Sequence, residues 1–153
     1  MVNCPAMGSS FIDYRANGFW CRDGSAELWL YLLSEEADRV ADRPAWLAEA
    51  SADWRTQATL GCQGAVSASL DKHLGIDPER VETVVALSER VRLRLHGWAP
   101  AIPMETVNGW GTGGSGTQYC RNVDTVWMLR FADAFLRLLN GKLRADPYAT
   151  TVY

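Results

Sequence analysis

Histidine is nearly missing from this 153-residue sequence, in which His73 and His96 are the only two. A zinc-type site would have to recruit carboxylates or thiolates to reach four ligands, and neither histidine stands at ligand spacing from Cys62 or Cys120. A nucleophile elbow of the G-x-S-x-G kind is also lacking, because Ser115 sits in Gly-Gly-Ser-Gly-Thr. A cysteine–histidine pair rests on residue inventory alone. No catalytic residue, metal or cofactor is therefore expected. His73, beside Lys72, reads as solvated, and His96, before Gly97, as a partner of a helix C-terminus.

Long apolar runs are lacking as well. The longest, Leu28 to Leu33, is far too short to span a bilayer, and the first ten residues have neither the basic nor the apolar region of a secretory signal. Cys4, Cys21, Cys62 and Cys120 lie far apart with no C-x-x-C, the pattern of reduced thiols in a cytoplasmic protein. Lysine is scarce, with two against thirteen arginines, a bias that resembles coding from a GC-rich bacterial genome. The formal charge of −3 and pI near 5.3 argue against nucleic acid, whose phosphates require clustered bases. Residues 1–60 hold nine acids and five bases, the remainder nine and ten. The first half thus suits a basic partner.

What is present reads as one helical domain over 1–153. Phe11 to Arg22 alternates loosely around Asn17-Gly18, the pair best suited to a two-residue turn, so a short hairpin or arm is expected there. Helices are expected over 25–42, 44–60, 64–74, 78–96 and 123–140, with Asp23 or Ser25 capping the first, Pro44 opening the second, and Asp77-Pro78 opening the fourth. Apolar content over 64–74 is thin. The first helix is apolar on nearly every side over Leu28–Leu33 and must be buried in the core or in a partner. The last carries a polar stripe of Arg130, Asp133 and Arg137. The final Tyr148–Tyr153 has strand-forming residues that either pair near Phe11–Tyr14 or fray. No internal repeat or heptad run occurs. The fold class expected is all-α, a bundle of four to five helices with an N-terminal hairpin or arm and one long Gly-rich loop over 97–121.

That loop contains Asn108-Gly-Trp-Gly-Thr-Gly-Gly-Ser-Gly-Thr117, five glycines around one tryptophan. Gly109, Gly111 and Gly114 formally match G-x-G-x-x-G, but no buried strand, immediate helix or later acid accompanies them. Gly111 to Gly116 has the gap of a phosphate loop, yet Thr117-Gln118 follows where Lys-Ser/Thr is needed. Trp110 has two readings: an interface anchor presented at low entropic cost, or a plug folded back into the bundle. Trp20, Trp29, Trp46, Trp54, Trp98 and Trp127 read mainly as core by spacing. Helices 44–60 and 64–74 mimic a helix-turn-helix, but Glu49 and Asp53 would oppose phosphate.

Small size, an acidic first half and no catalytic set point to a non-enzymatic protein that binds and neutralises another protein. In general character the chain resembles the small immunity proteins that bacteria encode beside secreted toxins, although no motif carries that name. Trp110 and Tyr119 are the expected anchors, and Glu35, Glu36, Asp38 and Asp42 the acids that would steer a basic partner. The alternatives are a small-molecule or nucleotide-handling protein using loop 108–117 as a backbone anion cradle, and a homo-oligomer that buries the first helix.

Overall fold

Two strands, β1 (Ser9–Tyr14) and β2 (Asn17–Arg22), pair antiparallel in a hairpin. The computed structural model describes residues 8–143 and 152–153. The hairpin turn falls at Arg15 and Ala16, with φ of 50° and 63°, not at Asn17-Gly18 as expected. Moving the turn by two residues leaves the same side chains on the inner face, since side chains alternate with period 2. Cross-strand pairing decides between the two registers. The observed one sets Ile12 opposite Phe19 and Phe11 opposite Trp20, a better apolar match than Ile12 against Asp23. Gly18 serves another purpose: a Cβ there would stand 2.3 Å from the Ile12 carbonyl and 2.7 Å from the Phe11 ring. Arg15 accepts the strained turn with its N–H bonded to Asp71 Oδ1 at 3.1 Å.

Six helices follow: α1 (Asp23–Asp38), α2 (Ala45–Thr59), α3 (Leu70–Leu74), α4 (Pro78–Trp98), α5 (Met104–Asn108) and α6 (Thr125–Leu139). A second two-stranded sheet pairs β3 (Ala101–Ile102) with β4 (Val123–Asp124), antiparallel. The all-α expectation is thus overturned by a mixed α/β arrangement of six helices and two small antiparallel sheets. The physical reason is twofold. The hairpin is no appended arm, because Ile12, Tyr14, Phe19 and Cys21 belong to the central core. The second sheet is built from two-residue strands, which leave no periodicity to read.

α1 is the central element, touching α2, α4, α6 and both hairpin strands. Its Leu28, Trp29, Leu30, Leu32 and Leu33 are all buried within this chain, so its apolar sides are covered without a second copy. Trp29 lies 5.5 Å from Phe131 and 5.2 Å from Phe135, ring centre to ring centre. Burying a side chain of that size is worth about 3 kcal/mol or more.

Three boundaries differ from the periodicity reading. α1 ends at Asp38, not 42, and Asp42 sits in a turn at φ 49°. Of the expected 64–74 helix only Leu70–Leu74 forms. There the Ser67 hydroxyl accepts the Ser69 N–H, Gln57 takes the Ser67 N–H, and the Trp54 indole bonds the Ala68 carbonyl. Side chains thus satisfy the backbone groups that helix would have used. Finally, the 97–121 loop contains β3 and α5. At the other end of the chain Val152 bridges Trp20 in parallel, and Tyr153 exchanges backbone bonds with Trp20 and Arg22. The C-terminal residues therefore join β2 rather than β1, while Tyr148–Thr151 lie outside the described residues.

Candidate functional site

Trp110 is neither fully presented nor a core plug. Half-buried, it stacks on Tyr31 with ring centres 5.2 Å apart and planes 17° apart, and tilts against Trp98 at 5.6 Å. Trp110 of the loop therefore packs against one ring from α1 and one from α4. Burial, with the Glu35 carboxylate beside it, raises the Tyr31 hydroxyl above its ordinary range.

Most of the expected steering acids are spent internally. Glu35 accepts from Arg94 at 2.8 Å, and the buried Glu36 holds Arg39 at 2.9 Å and Arg94 at 3.3 Å. Asp38 binds Arg43, Arg55 at 3.0 Å and the Ser51 hydroxyl at 2.6 Å. Burial pushes its carboxyl upward, but these donors outweigh that and leave it lowered. Asp42 is exposed and makes no ion pair among the described residues. Arg94 is a strut between α4 and α1.

The glycine run is an ordered clasp. Gly111, Gly113, Gly114 and Gly116 all take φ between 69° and 89°. The Gly113 N–H donates to the Ala58 carbonyl at 2.9 Å, closing the loop onto the end of α2. A Cβ on Gly61 would stand 2.7 Å from the Gly113 carbonyl oxygen, so Gly61 lets the two backbones approach. With that N–H committed and Thr117 N–H bonded to Gly114, the loop is poorly arranged as a phosphate cradle.

Beneath the clasp lie two buried carboxylates one helical turn apart, Asp23 and Glu27. Asp23 is well satisfied, receiving the Ser10 hydroxyl at 2.5 Å and the Gly64 N–H at 2.8 Å, at the positive end of α1. Glu27 receives no hydrogen bond from the described residues. Desolvation, reinforced by the Asp23 charge, pushes it up to about 7. Tyr119 is raised above its ordinary value by burial and by the nearby Glu27 charge. A carboxyl titrating near neutrality is what acid–base chemistry calls for, yet Glu27 does not line the neighbouring cleft.

His73, expected to be solvated, is buried with Nε2 2.7 Å from Asp53 and its ring edge-on to Trp54 at 6.1 Å. It ties α3 to α2. Cys120 is disulfide-bonded, correcting the expectation of a reduced thiol there. Cys21 and Cys62 are free, with burial pushing the Cys21 thiol up to about 12. Cys4 lies outside the described residues. Among the described residues no three His, Cys, Asp or Glu side chains gather as a metal-holding group, and no helix is long and apolar enough to cross a membrane.

The most exposed aromatic surface lies elsewhere, on the outer side of the hairpin and the start of α6. Phe11, Trp20 and Trp127 are 37%, 41% and 46% exposed, so two tryptophans expected in the core are on the surface. Phe11 and Trp20 touch across the hairpin at 5.2 Å. Arg22, two residues along β2, lays its guanidinium 5.7 Å from the Trp127 ring, and Arg130 approaches the same ring at 5.0 Å. A run of aromatics and arginines therefore crosses from β1 to α6. Beside it opens a cleft of about 650 Å³ lined by Arg22, Ser25, Tyr119, Arg121, Trp127 and Tyr153, among others. Spacing alone missed this face. Its signal was present in Val126-Trp127-Met128-Leu129, four consecutive apolar residues that no helix buries on one side. No protein-family model, curated protein or solved structure matches the chain.

Proposed function

We propose that this chain is a non-enzymatic protein-binding module of the inhibitor or immunity type, which neutralises a partner protein by docking through the Phe11, Trp20, Arg22, Trp127 and Arg130 face. The observation that carries the reading is Trp127, nearly half exposed yet held between two guanidiniums. Tryptophan and arginine dominate interface hot spots because they bury large area at low entropic cost. A ring braced in place in the free protein loses less freedom on docking. Small size and the absence of a catalytic set in the sequence favour neutralisation over turnover. The arginines of this face suit an acidic rim on the partner, in place of the basic partner that Glu35, Glu36 and Asp38 suggested before their ion pairs were seen.

The test is to isolate the natural partner by affinity capture and titrate it calorimetrically against variants. Trp127→Ala should weaken binding ten-fold or more, about 1.4 kcal/mol, while Trp110→Ala changes affinity far less at matched folding. Equal affinity of wild type, Trp127→Ala and Trp20→Ala would end the proposal. Disulfides persist in oxidising compartments and are rare in the cytosol, so the bonded Cys120 supports an oxidising compartment for the module. Cys120 should resist alkylation until a reductant is added.

A further inference from the structure

The cleft beside Trp127 has chemistry that partner docking does not require. It lies between the start of α1, the 119–124 segment and the first turns of α6, with Leu28 and Met128 among its lining and Tyr119, Trp127 and Tyr153 as aromatic walls. Its volume of about 650 Å³ falls within the roughly 300–1,000 Å³ of small-molecule sites.

The arginines of the cleft are among those that form no ion pair with an acid of the described residues. Arg39, Arg43, Arg55, Arg80, Arg92 and Arg94 each hold an acid within the chain. Arg22 and Arg121 line the cleft and hold none among the described residues. Asp124 is the one acidic side chain in the lining, and its Oδ1 accepts the Val126 N–H at 2.8 Å. The lining side chains thus set two guanidiniums against one carboxylate, in a chain of formal net charge −3. Gly24 and Ser25, in the first turn of α1, also line it, and α1 has no side-chain cap. The first N–H groups of a helix lack intrahelical acceptors, and among the described residues only that of Asp23 is met from outside, by the Gly8 carbonyl at 2.9 Å.

From this arrangement we infer that the cleft binds a small aromatic monocarboxylate, its carboxylate held by Arg22 and Arg121 at the start of α1 and its ring against Trp127 and Tyr119. A planar carboxylate matches the guanidinium fork. Two guanidiniums against one carboxylate side chain suit an anion over a cation, and a dianionic phosphate would bring its second charge toward Asp124. Aromatic walls supply ring contacts that an aliphatic acid cannot use.

The experiment is an amide and indole NMR titration of the full chain with phenylacetate, using benzyl alcohol, benzylamine, acetate and phenyl phosphate as comparison probes. Phenylacetate should give saturable shifts confined to Gly24, Ser25, Arg121 and the Trp127 indole, with a Kd of about 1 mM or tighter. Benzyl alcohol, benzylamine, acetate and phenyl phosphate should each bind at least about ten-fold more weakly. Arg121→Ala, at an exposed position, should weaken phenylacetate about ten-fold, and Arg22→Ala provides an independent second variant. Trp20→Ala, outside the cleft, should leave the phenylacetate Kd unchanged while weakening partner capture, which separates this site from the docking face. No saturation by about 10 mM, benzylamine binding as well as phenylacetate, or an unchanged Kd in both arginine variants would overturn the inference.

Discussion

The side-chain amide of Asn108 holds both backbone groups of Tyr119, accepting its N–H at 2.7 Å and donating to its carbonyl at 3.0 Å. Eleven positions separate the two residues, and the whole glycine clasp lies between them. One side chain therefore closes the base of the loop, while the Gly113 bond to Ala58 pins its tip. Asn108→Ala should lower stability by about 1–3 kcal/mol, since two half-buried backbone groups lose their partners. Denaturant unfolding reads the loss, and hydrogen exchange at Gly113 should accelerate more than exchange in α6. Unchanged protection at Gly113 would show that the tip contact suffices without the clamp.

Gly113 and Gly116 share a φ of 82° but differ in surroundings. A Cβ on Gly116 meets nothing within 4 Å, whereas one on Gly113 would stand 2.8 Å from Thr117 Cγ2 and 3.0 Å from Glu27 Oε2. Gly116→Ala should cost about 1 kcal/mol from backbone strain alone. Gly113→Ala should cost at least twice that. Equal melting temperatures for the two variants would show that the clasp shifts freely over Glu27.

Glu27 gives the fold a pH dependence of definite sign. Its folded value near 7 exceeds the ordinary 4.5, so between those values the folded chain binds more protons at this carboxyl than the unfolded one. Protonation therefore favours folding, an advantage present in full below about 4.5 and lost as pH rises through about 7. Wild type should lose stability relative to Glu27→Gln across that window, by no more than about 3 kcal/mol, and by less where water reaches the carboxyl. Parallel stability curves for the two proteins between pH 4.5 and 7.5 would contradict a raised Glu27.

Arg94 joins α4 to α1 through Glu35 and the buried Glu36. Arg94→Ala should destabilise by about 1–2 kcal/mol. The half-buried Glu35 loses its cation, while Glu36 keeps Arg39. Glu35→Gln should lower the melting temperature and leave partner affinity unchanged. A large fall in affinity with unchanged stability would restore Glu35 to the docking surface.

Local chemistry in the sequence determined where many elements lie. Asp77-Pro78 opens α4 because aspartate caps the first free amides and proline's fixed φ fits a first turn. Leu28–Leu33 had to be buried on several sides, since no single interface covers such a stretch, and the aromatic contacts of Trp29 do this within one chain. Tertiary structure decided what depends on distant partners. The hairpin register was chosen by Phe11 meeting Trp20 and Ile12 meeting Phe19, not by the turn-forming Asn17-Gly18. The second sheet pairs residues more than twenty positions apart, and the clasp is closed across eleven positions at its base and pinned to distant Ala58 at its tip, pairings that leave no local period. Charges were legible as residues but not as roles: Glu35, Glu36 and Asp38 look identical to free acids until Arg94, Arg39, Arg43 and Arg55 are placed against them. Trp127 likewise had apolar neighbours in sequence and is exposed only because α6 turns its other side to Trp29. Composition constrains what a chain buries, whereas the partner each side chain finds is a property of the packed whole.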